Sequence, residues 1–320
     1  MERKADAHTI KVVYGIDRNY LVPAAVSIHS LCERASAPLE IVVYGDGLEP
    51  SDHETLLKVG EAFGADVDVR RYDPPPPRAR QGLRGRWPAI ITLPLELPWL
   101  VEGRCLFIDA DTLVVGDVGE IIAIDMRGMP LGACIDPGID SQGNLATARR
   151  RLIRTTVLDL LLPKRSRRRR RAQLSRAVSM GLRPGDVYFN SGVLVMDCGA
   201  VRALAPISSR GLPLNDPGGM EPYAEHLPDQ DRLNEFFAGR YRRLPLRWNL
   251  KPMTRTAHWP ESARQELDGA LSDPGIWHFM GARKPWKRSL KSRMMRHHPA
   301  FQAWHDTYGK VRDLCGLEDT

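Results

Sequence analysis

Residues 104–115 read RCLFIDADTLVV, a short apolar run that passes directly into two aspartates and then into a second apolar run. The first run predicts a buried strand at 104–108, followed at once by Asp109 and Asp111. In extended backbone these two side chains point the same way, so both can reach one hard divalent cation. Two carboxylates between uncharged runs are unfavourable unless a positive group pairs with them. The pattern favours a cation site, with a helix cap or a turn as the alternative.

Short strands and helical stretches alternate on both sides of this motif. Further strands are predicted at 10–14, 39–44, 66–72, 131–135, 187–196 (interrupted at Asn190-Ser191-Gly192) and 276–280. Helices are predicted at 22–31 and from Asp229 onward. A third helix is predicted to begin at Ser51, the N-cap of a capping box that Glu54 completes. This alternation indicates an α/β fold with a mostly parallel sheet and helices on both faces. Ligands of such sheets bind beyond the carboxyl ends of the strands, where we expect Asp17, Asp109, Asp111 and Asp136.

Composition excludes several classes of protein. The chain has 320 residues, of which 42% are hydrophobic and 27% charged, as in an ordinary globular protein. Its five cysteines form no CxxC pair, so we expect neither a disulfide framework nor a zinc ribbon. Free cysteines are typical of a reducing compartment, which we therefore expect. The first eleven residues contain no apolar segment, and no run approaches the ~18 apolar residues that span a membrane. We therefore expect a cytoplasmic protein without a secretory signal or a transmembrane helix.

The positive charge is concentrated in two segments. The net charge of +7 arises from 46 lysines and arginines against 39 acidic residues, and KRSRRRRR at 164–171 alone carries seven positive charges. A nucleic-acid-binding protein spreads basic residues over a whole face, so nucleic acid is a disfavoured partner. The second segment, 283–296, has seven basic residues and no acid, and Phe301, Trp304 and Tyr308 follow it at helical spacing. Together they favour an anionic membrane surface, with a solvated loop and a core-packed aromatic helix as the alternatives.

Other residues can complete a site around the first Asp-x-Asp pair. The pair Asp66 and Asp68 lies in an amphipathic strand and indicates a solvated face. The pair Asp229 and Asp231 lies where a helix begins. Capping of that helix explains one of these two aspartates but not easily both. His278 lies in an apolar strand, where a buried core histidine is the alternative to a ligand. Gly281 and Lys284 follow it and suit a phosphate group. Two carboxylates and one imidazole form a ligand set for Mn²⁺ or Mg²⁺.

Six motifs occur in a fixed order along the chain. They are GIDRNY at 15–20, LFIDADTLV at 106–114, LGACID at 131–136, YFNSGVLVMD at 188–197, DQDRLN at 229–234 and HFMGARKPW at 278–286. In this order they resemble glycosyltransferase family 8, and the resemblance covers roughly residues 9–287. It implies a GT-A fold, a Rossmann-like nucleotide-binding sheet, as a catalytic domain over 9–282. Residues 137–186 would form a basic, acceptor-side insertion, and 283–320 a basic, aromatic C-terminal segment.

The resemblance implies a role for each matching residue. Asp17, Asn19 and Tyr20 would contact the uracil and ribose of a UDP-sugar, and Asp109, Asp111 and His278 would hold Mn²⁺ or Mg²⁺ on its diphosphate. Gly281 and Lys284 would contact the phosphates, and Ala110 would line the donor site. The sugar pocket would be lined by Asp136, Asn190, Asp229 and Gln230. The catalytic candidates are Gln230, Asp229 and Asp231.

The implied reaction is retaining transfer of galactose or glucose from a UDP-sugar to a saccharide or lipid-linked acceptor, as in lipopolysaccharide biosynthesis, at the inner face of the membrane. An amide such as Gln230 is a poor nucleophile, so we favour attack from the face of the leaving group. One departure concerns the donor: Ile91 and Thr92 stand where the family carries a donor-contacting arginine, with Arg84 or Arg86 as the candidates to replace it. The alternative function is a non-catalytic adaptor that binds nucleic acid or an anionic surface through 164–171.

Overall fold

The computed structural model describes residues 9–73, 88–136, 187–204, 213–216, 227–252 and 261–317. The proline run at 74–77, Arg84, Arg86, the insertion at 137–186 and its arginine run at 164–171 lie outside the described residues.

A seven-stranded sheet forms the centre of the described part of the chain. The strands, in chain order, are β1 (Ile10–Asp17), β2 (Leu39–Asp46), β3 (Asp66–Arg71), β4 (Arg104–Ile108), β5 (Thr112–Val114), β6 (Leu131–Ile135), β7 (Phe189–Asp197), β8 (Arg242–Arg243) and β9 (Ile276–His278). The sheet order is β3-β2-β1-β4-β7-β6-β8, and β3 is an edge strand, as its alternating pattern predicts. Strand β1 pairs in parallel with β2 and β4, β2 with β3, and β6 with β8. The predicted mostly parallel sheet is confirmed.

Strand β7 is antiparallel to both of its neighbours, and this positions the candidate site. It pairs with β4 so that Val193 lies opposite Ile108, and with β6 so that Phe189 lies opposite Ile135. The first residues of β7 therefore stand at the same edge of the sheet as the carboxyl ends of β4 and β6. The short strands β5 and β9 pair antiparallel in a second sheet, with Thr112 opposite His278.

Helices cover both faces of the central sheet. The α-helices are α1 (Leu21–Arg34), α2 (Pro50–Glu61), α3 (Leu93–Leu100), α4 (Val118–Ile122), α5 (Cys198–Ala203), α6 (Pro228–Phe236), α7 (Glu261–Ser272), α8 (Leu290–Arg293) and α9 (Pro299–Cys315). Alternate residues of β1 enter two apolar clusters: Val12 packs in the cluster that contains α1 and α9, and Val13 in the cluster that contains α3 and α6. This period of two explains why helices are needed on both faces.

Two local predictions were wrong. Helix α2 begins at Pro50, and its capping box is formed by Glu49 and Asp52 rather than by Ser51 and Glu54. A proline suits the first helical position because its fixed φ matches the helix and its missing N–H has no partner to lose there. Strand β7 is continuous across Asn190-Ser191-Gly192, because the polar side chains of this segment find partners in the site described below.

The C-terminal helix α9 packs on the domain rather than standing apart from it. Phe301 and Trp304 are buried in the same cluster as α1, and the rings of Trp304 and Tyr308 stack at 5.4 Å. The aromatic spacing is thus that of a core-packed helix, whereas the division of the chain at 282/283 stays a prediction. Within the described residues, no helix combines the length and the apolar character needed to cross a bilayer.

Candidate active site

Three candidate metal ligands converge at the end of β4. Asp109 and Asp111 lie in the connection from β4 to β5, and His278 is the last residue of β9. The imidazole Nε2 of His278 is 3.0 Å from Asp111 Oδ1 and 3.5 Å from Asp109 Oδ2. One donor atom from each residue lies within 4.8 Å of the others. Two carboxylate oxygens and one imidazole nitrogen at this spacing fit a divalent cation such as Mn²⁺ or Mg²⁺.

Lys284 brings a positive charge to the same place. Its ammonium group contacts Asp111 Oδ2, and it lies 5.8 Å from the ring centre of Tyr20 and 5.5 Å from that of Trp286. Burial by itself would raise the pKa of Asp111, but His278 and Lys284 outweigh it and hold that pKa below its usual value. Burial raises the pKa of Asp109 to about 7, where the charge of His278 opposes it and that of Asp111 adds to it. The site therefore holds one carboxylate that stays ionised at neutral pH and a second whose ionised form a bound cation would favour.

Gly192 allows β7 to pass close to the metal ligands. A Cβ atom at this position would lie 2.2 Å from His278 Cε1 and 2.6 Å from Asp109 Oδ2, closer than atoms can approach. The carbonyl of Gly192 also accepts the backbone N–H of Asp109 at 2.8 Å. A glycine is required here by space rather than by backbone conformation.

A chain of amide hydrogen bonds runs from the metal ligands across the sheet edge. Asn249 Oδ1 is 2.8 Å from His278 Nδ1, and Asn249 Nδ2 donates to Asn190 Oδ1 at 2.8 Å. Asn190 Nδ2 donates to Gln230 Oε1 at 2.8 Å, and Gln230 Nε2 donates to Asp136 Oδ2 at 3.0 Å. All five side chains are buried. The structure thus joins the predicted sugar-pocket residues to the predicted metal ligands.

Helix α6 brings three acidic or amide groups to β7. Asp229 Oδ2 accepts the hydroxyl hydrogen of Ser191 at 2.8 Å, and burial raises the pKa of Asp229 to about 6. Gln230 Oε1 also accepts the backbone N–H of Ser191 at 3.2 Å. Asp231 has no exposed surface, and its Oδ1 accepts the hydroxyl hydrogen of Tyr188 at 2.5 Å.

The residues predicted to contact the nucleotide follow β1. Asp17 ends that strand, and its Oδ2 lies 3.4 Å from Asn19 Nδ2. The other oxygen of Asp17 is buried and has no hydrogen-bond partner among the described residues. The charges of Asp111, Asp109 and Asp17 add to burial in raising the pKa of Tyr20, which places this ring beside the acidic residues of the site.

Three further predicted positions remain: Ala110, Gly281 and Thr92. Ala110 is buried between the two aspartates, and Gly281 has a φ of 78° with open space where a side chain would be. Thr92 is buried, and its hydroxyl bonds to Tyr72 at 2.5 Å and Glu96 at 3.2 Å, so it is committed to a local network.

Sequence reasoning gave no role to Ser191, Gly192 or Asn249. Asn190-Ser191-Gly192 is a polar break in an apolar run. This signal indicates the site, although by itself it predicts an interruption of the strand. Asn249 is 29 residues before His278 and belongs to a 3₁₀ helix, Leu246–Asn249. Nothing in the local sequence distinguishes it.

Comparison with known protein sequences found a matching family model and a related protein. The model of the family described as Glycosyl transferase family 8 matches residues 101–289, more than half of the chain. General stress protein A of Bacillus subtilis (strain 168) is 22% identical over 294 residues, covering 88% of each chain.

Solved structures show the same fold. The bifunctional glycosyltransferase WbbM matches with a TM-score of 0.69 and 18% identity over 98% of this chain, which spans about half (53%) of WbbM. The galactosyltransferase LgtC, solved with donor and acceptor sugar analogs, matches with a TM-score of 0.66 and 18% identity over 94% of this chain and 96% of LgtC. The central sheet therefore has the GT-A arrangement.

Proposed function

Because the chain belongs to glycosyl transferase family 8 and is therefore a glycosyltransferase, we propose that it transfers galactose or glucose from a UDP-sugar to a saccharide or lipid-linked acceptor. The reaction is metal-dependent and retains the configuration of the anomeric carbon. The observation that carries this proposal is the convergence of Asp109, Asp111 and His278 on one point, with the ammonium group of Lys284 beside them.

Asp109, Asp111 and His278 would hold the divalent cation, Mn²⁺ or Mg²⁺. When bound, it supplies Lewis-acid stabilisation of the diphosphate as the bond to the sugar breaks. Lys284 adds a positive charge that would stabilise the same developing negative charge, and its ammonium group lies near the rings of Tyr20 and Trp286. Gly281 leaves open space beside it through which a phosphate can approach.

The nucleotide would bind at the end of β1. The buried Asp17 oxygen that lacks a partner among the described residues is an acceptor for a ribose hydroxyl or the uracil N–H. Asn19 and Tyr20 flank it on the next turn, and Ala110 lies between the two metal-binding aspartates. These positions support a UDP-linked donor at the carboxyl edge of the sheet.

The hydrogen bonds of Gln230 support same-face attack over a covalent intermediate on Gln230. Its amide oxygen already accepts from Asn190 and from the Ser191 backbone, which uses both lone pairs. We therefore assign Gln230 and Asp229 to stabilising positive charge at the anomeric carbon, with Asp136 and Asn190 in the sugar pocket. Asp231, which is fully buried against Tyr188, would support Asp229 and Gln230 from behind.

The acceptor side would face an anionic membrane at the cytoplasmic surface. Leu290 is 75% exposed and Met294 is 77% exposed, one helical turn apart. Exposed cations surround them in sequence: Lys287, Arg288, Arg293 and Arg296. Large exposed apolar side chains among cations are typical of proteins that bind anionic lipid surfaces. A glycolipid acceptor, as in lipopolysaccharide synthesis, would be reached from that surface, with the run at 164–171 as a second basic contact.

Donor binding tests this function directly. Calorimetric titration with UDP-galactose, UDP-glucose, UDP-N-acetylglucosamine and UDP-glucuronate, each with Mn²⁺ and with EDTA, is expected to show metal-dependent binding of one UDP-hexose. Asp111→Asn should weaken that binding by about 100-fold or more, because several kcal/mol of metal stabilisation are lost.

Asp66→Asn is the matched control, because it alters an exposed Asp-x-Asp pair on edge strand β3 and should leave binding unchanged. Absence of binding to every UDP-sugar would contradict the proposed donor. Equal binding with Mn²⁺ and with EDTA would contradict the metal site.

A further inference from the structure

Asn249 is held opposite His278 by the backbone as well as by its side chain. The residue after it, Leu250, donates to the carbonyl of Ile276 at 2.9 Å and accepts the backbone N–H of His278 at 2.9 Å. Asn249 is completely buried and His278 nearly so, and their side chains meet at 2.8 Å. The position of the amide is therefore fixed by β9 itself.

The orientation of each amide in this chain follows from backbone groups whose direction is unambiguous. The backbone N–H of Gly192 donates to one atom of the Asn190 amide at 2.9 Å, so that atom is the oxygen. Asn249 must then donate its NH₂ group to that oxygen, and its own oxygen faces His278 Nδ1. His278 consequently carries a hydrogen on Nδ1.

The hydrogen bonds at the Asp136 end of the series agree with this assignment. The backbone N–H of Ser191 donates to one atom of the Gln230 amide, which makes that atom the oxygen, and the Gln230 NH₂ group then points at the carboxylate of Asp136. Asn190 donates to the same Gln230 oxygen, as its Gly192 contact requires. Two independent backbone donors thus fix one consistent direction of donation, from His278 through the three amides to Asp136.

We propose that Asn249 is a positioning residue that keeps the hydrogen of His278 on Nδ1, so that Nε2 offers its lone pair to the cation, and that links the cation site to the sugar-pocket amides. This rests on the proposed function for the identity of the cation site. A ligand histidine is commonly oriented by an acceptor on its other ring nitrogen, and loss of such an acceptor lowers metal affinity by roughly 10–100-fold.

Two substitutions separate the two halves of the proposal. Asn249→Ala removes both hydrogen bonds. Asn249→Asp keeps an acceptor for His278 Nδ1 but has no N–H for Asn190, so it should retain metal binding and disturb the amides. Asn234→Ala is the matched control: Asn234 is a buried asparagine that bonds the backbone of Phe189 and Gln230 and touches no metal ligand. Should Asn249→Ala not fold, Asn249→Ser replaces it, because one hydroxyl cannot span both partners.

The first measurement is Mn²⁺ affinity with and without UDP, from the electron paramagnetic resonance signal of free Mn²⁺. We expect a loss of about 10-fold or more for Asn249→Ala, a change within about threefold for Asn249→Asp, and none for the control. Donor hydrolysis should fall in both Asn249 variants. Equal affinity in wild type and Asn249→Ala, equal losses in both Asn249 variants, or the same loss in the control would each overturn the proposal.

The second measurement needs no metal. With ¹⁵N-labelled histidine, wild type and Asn249→Asp should show a slowly exchanging Nδ1–H signal that is missing from His278→Gln and from Asn249→Ala. Its absence from wild type would overturn the role of Asn249. Failure of wild type to bind Mn²⁺ would instead contradict the proposed function, while this signal still decides what Asn249 does.

Discussion

Asp229 is a buried carboxylate whose pKa, about 6 in the folded chain, lies above its ordinary value of 3.8. Between these two values the folded state keeps the proton and the unfolded state releases it, so the folded state loses stability as pH rises through this window. An asparagine at this position does not titrate, so Asp229→Asn should gain stability relative to wild type by about 2 kcal/mol more at pH 8 than at pH 4.5. Equilibrium urea unfolding in EDTA measures this difference.

Exposed Asp66 serves as the comparison, because Asp66→Asn removes a carboxylate that is open to solvent on the outer strand. The same gain in stability for Asp229→Asn at both pH values would mean that folding does not raise the pKa of Asp229. The expected gain in stability should accompany a loss of transfer, since the charge that destabilises the folded chain is the one proposed to face the anomeric carbon.

The sequence predicts residues whose chemistry is visible locally and misses those whose role depends on the fold. Asp109 and Asp111 are identifiable because charged residues between two apolar runs are unusual. His278 and Lys284 are identifiable because an imidazole and an ammonium group lie six residues apart in one short segment. Asn249 is not, because a buried asparagine has no sequence signature and its partner Asn190 is 59 positions away. Only the folded backbone shows that both lie beside His278.

At the scale of elements, the site depends on how closely β7 passes the β4–β5 connection and β9. Gly192→Ala places a methyl group where His278 and Asp109 already lie, so the metal ligands must separate. We expect a fall of about 10-fold or more in Mn²⁺ affinity and little metal-dependent UDP binding, measured by the resonance signal of free Mn²⁺ and by calorimetry.

Gly199→Ala is the matched control, since a Cβ there meets its nearest neighbour, Asp197 Oδ1, at an ordinary 3.5 Å. Unchanged Mn²⁺ affinity in a folded Gly192→Ala variant would show that the ligands do not need this close approach. Equal losses in both variants would point to a general effect of stiffening the backbone.

Element types were predictable because apolar period and turn residues are local, but strand direction was not. Strands β1 to β4 alternate with helices, which favours parallel pairing. Strand β7 has the same apolar composition, yet it enters the sheet antiparallel between β4 and β6. Its direction depends on the path of the chain before it, which periodicity does not encode. The capping box predicted for α2 was wrong because the helix begins earlier than Ser51 indicates: Pro50 takes the first helical position, so Glu49 and Asp52 form the box.

At the scale of the whole molecule, α8 is joined to the candidate site through the backbone of Lys284. The hydroxyl of Ser292 in α8 accepts the backbone N–H of Lys284 at 3.3 Å, while Leu290 in α8 and Met294 directly after it are exposed. Met295, the residue after Met294, is buried in the core. A lipid surface bound at Leu290 and Met294 would therefore lie on the same short segment as Lys284, which we propose binds the donor phosphates.

Vesicle sedimentation tests this arrangement with phosphatidylcholine vesicles that contain or lack about one third phosphatidylglycerol. Wild type should bind the anionic vesicles and leave them at high salt, because screening weakens the cation contacts. The double substitution Leu290→Gln and Met294→Gln should lower partitioning about tenfold, since two partly inserted side chains lose their transfer energy.

Leu271→Gln is the control for exposed apolar surface, because Leu271 is 43% exposed on α7, outside the basic segment. Donor hydrolysis in solution should be unchanged in the double variant, because both side chains are largely exposed and neither is among the proposed donor-binding residues. Transfer to a lipid-linked acceptor in anionic vesicles should fall with partitioning. Equal binding to neutral and anionic vesicles, or unchanged partitioning of the double variant, would contradict docking at α8. Since donor hydrolysis is measured separately, that result would contradict only the proposed membrane binding and not the proposed transferase activity.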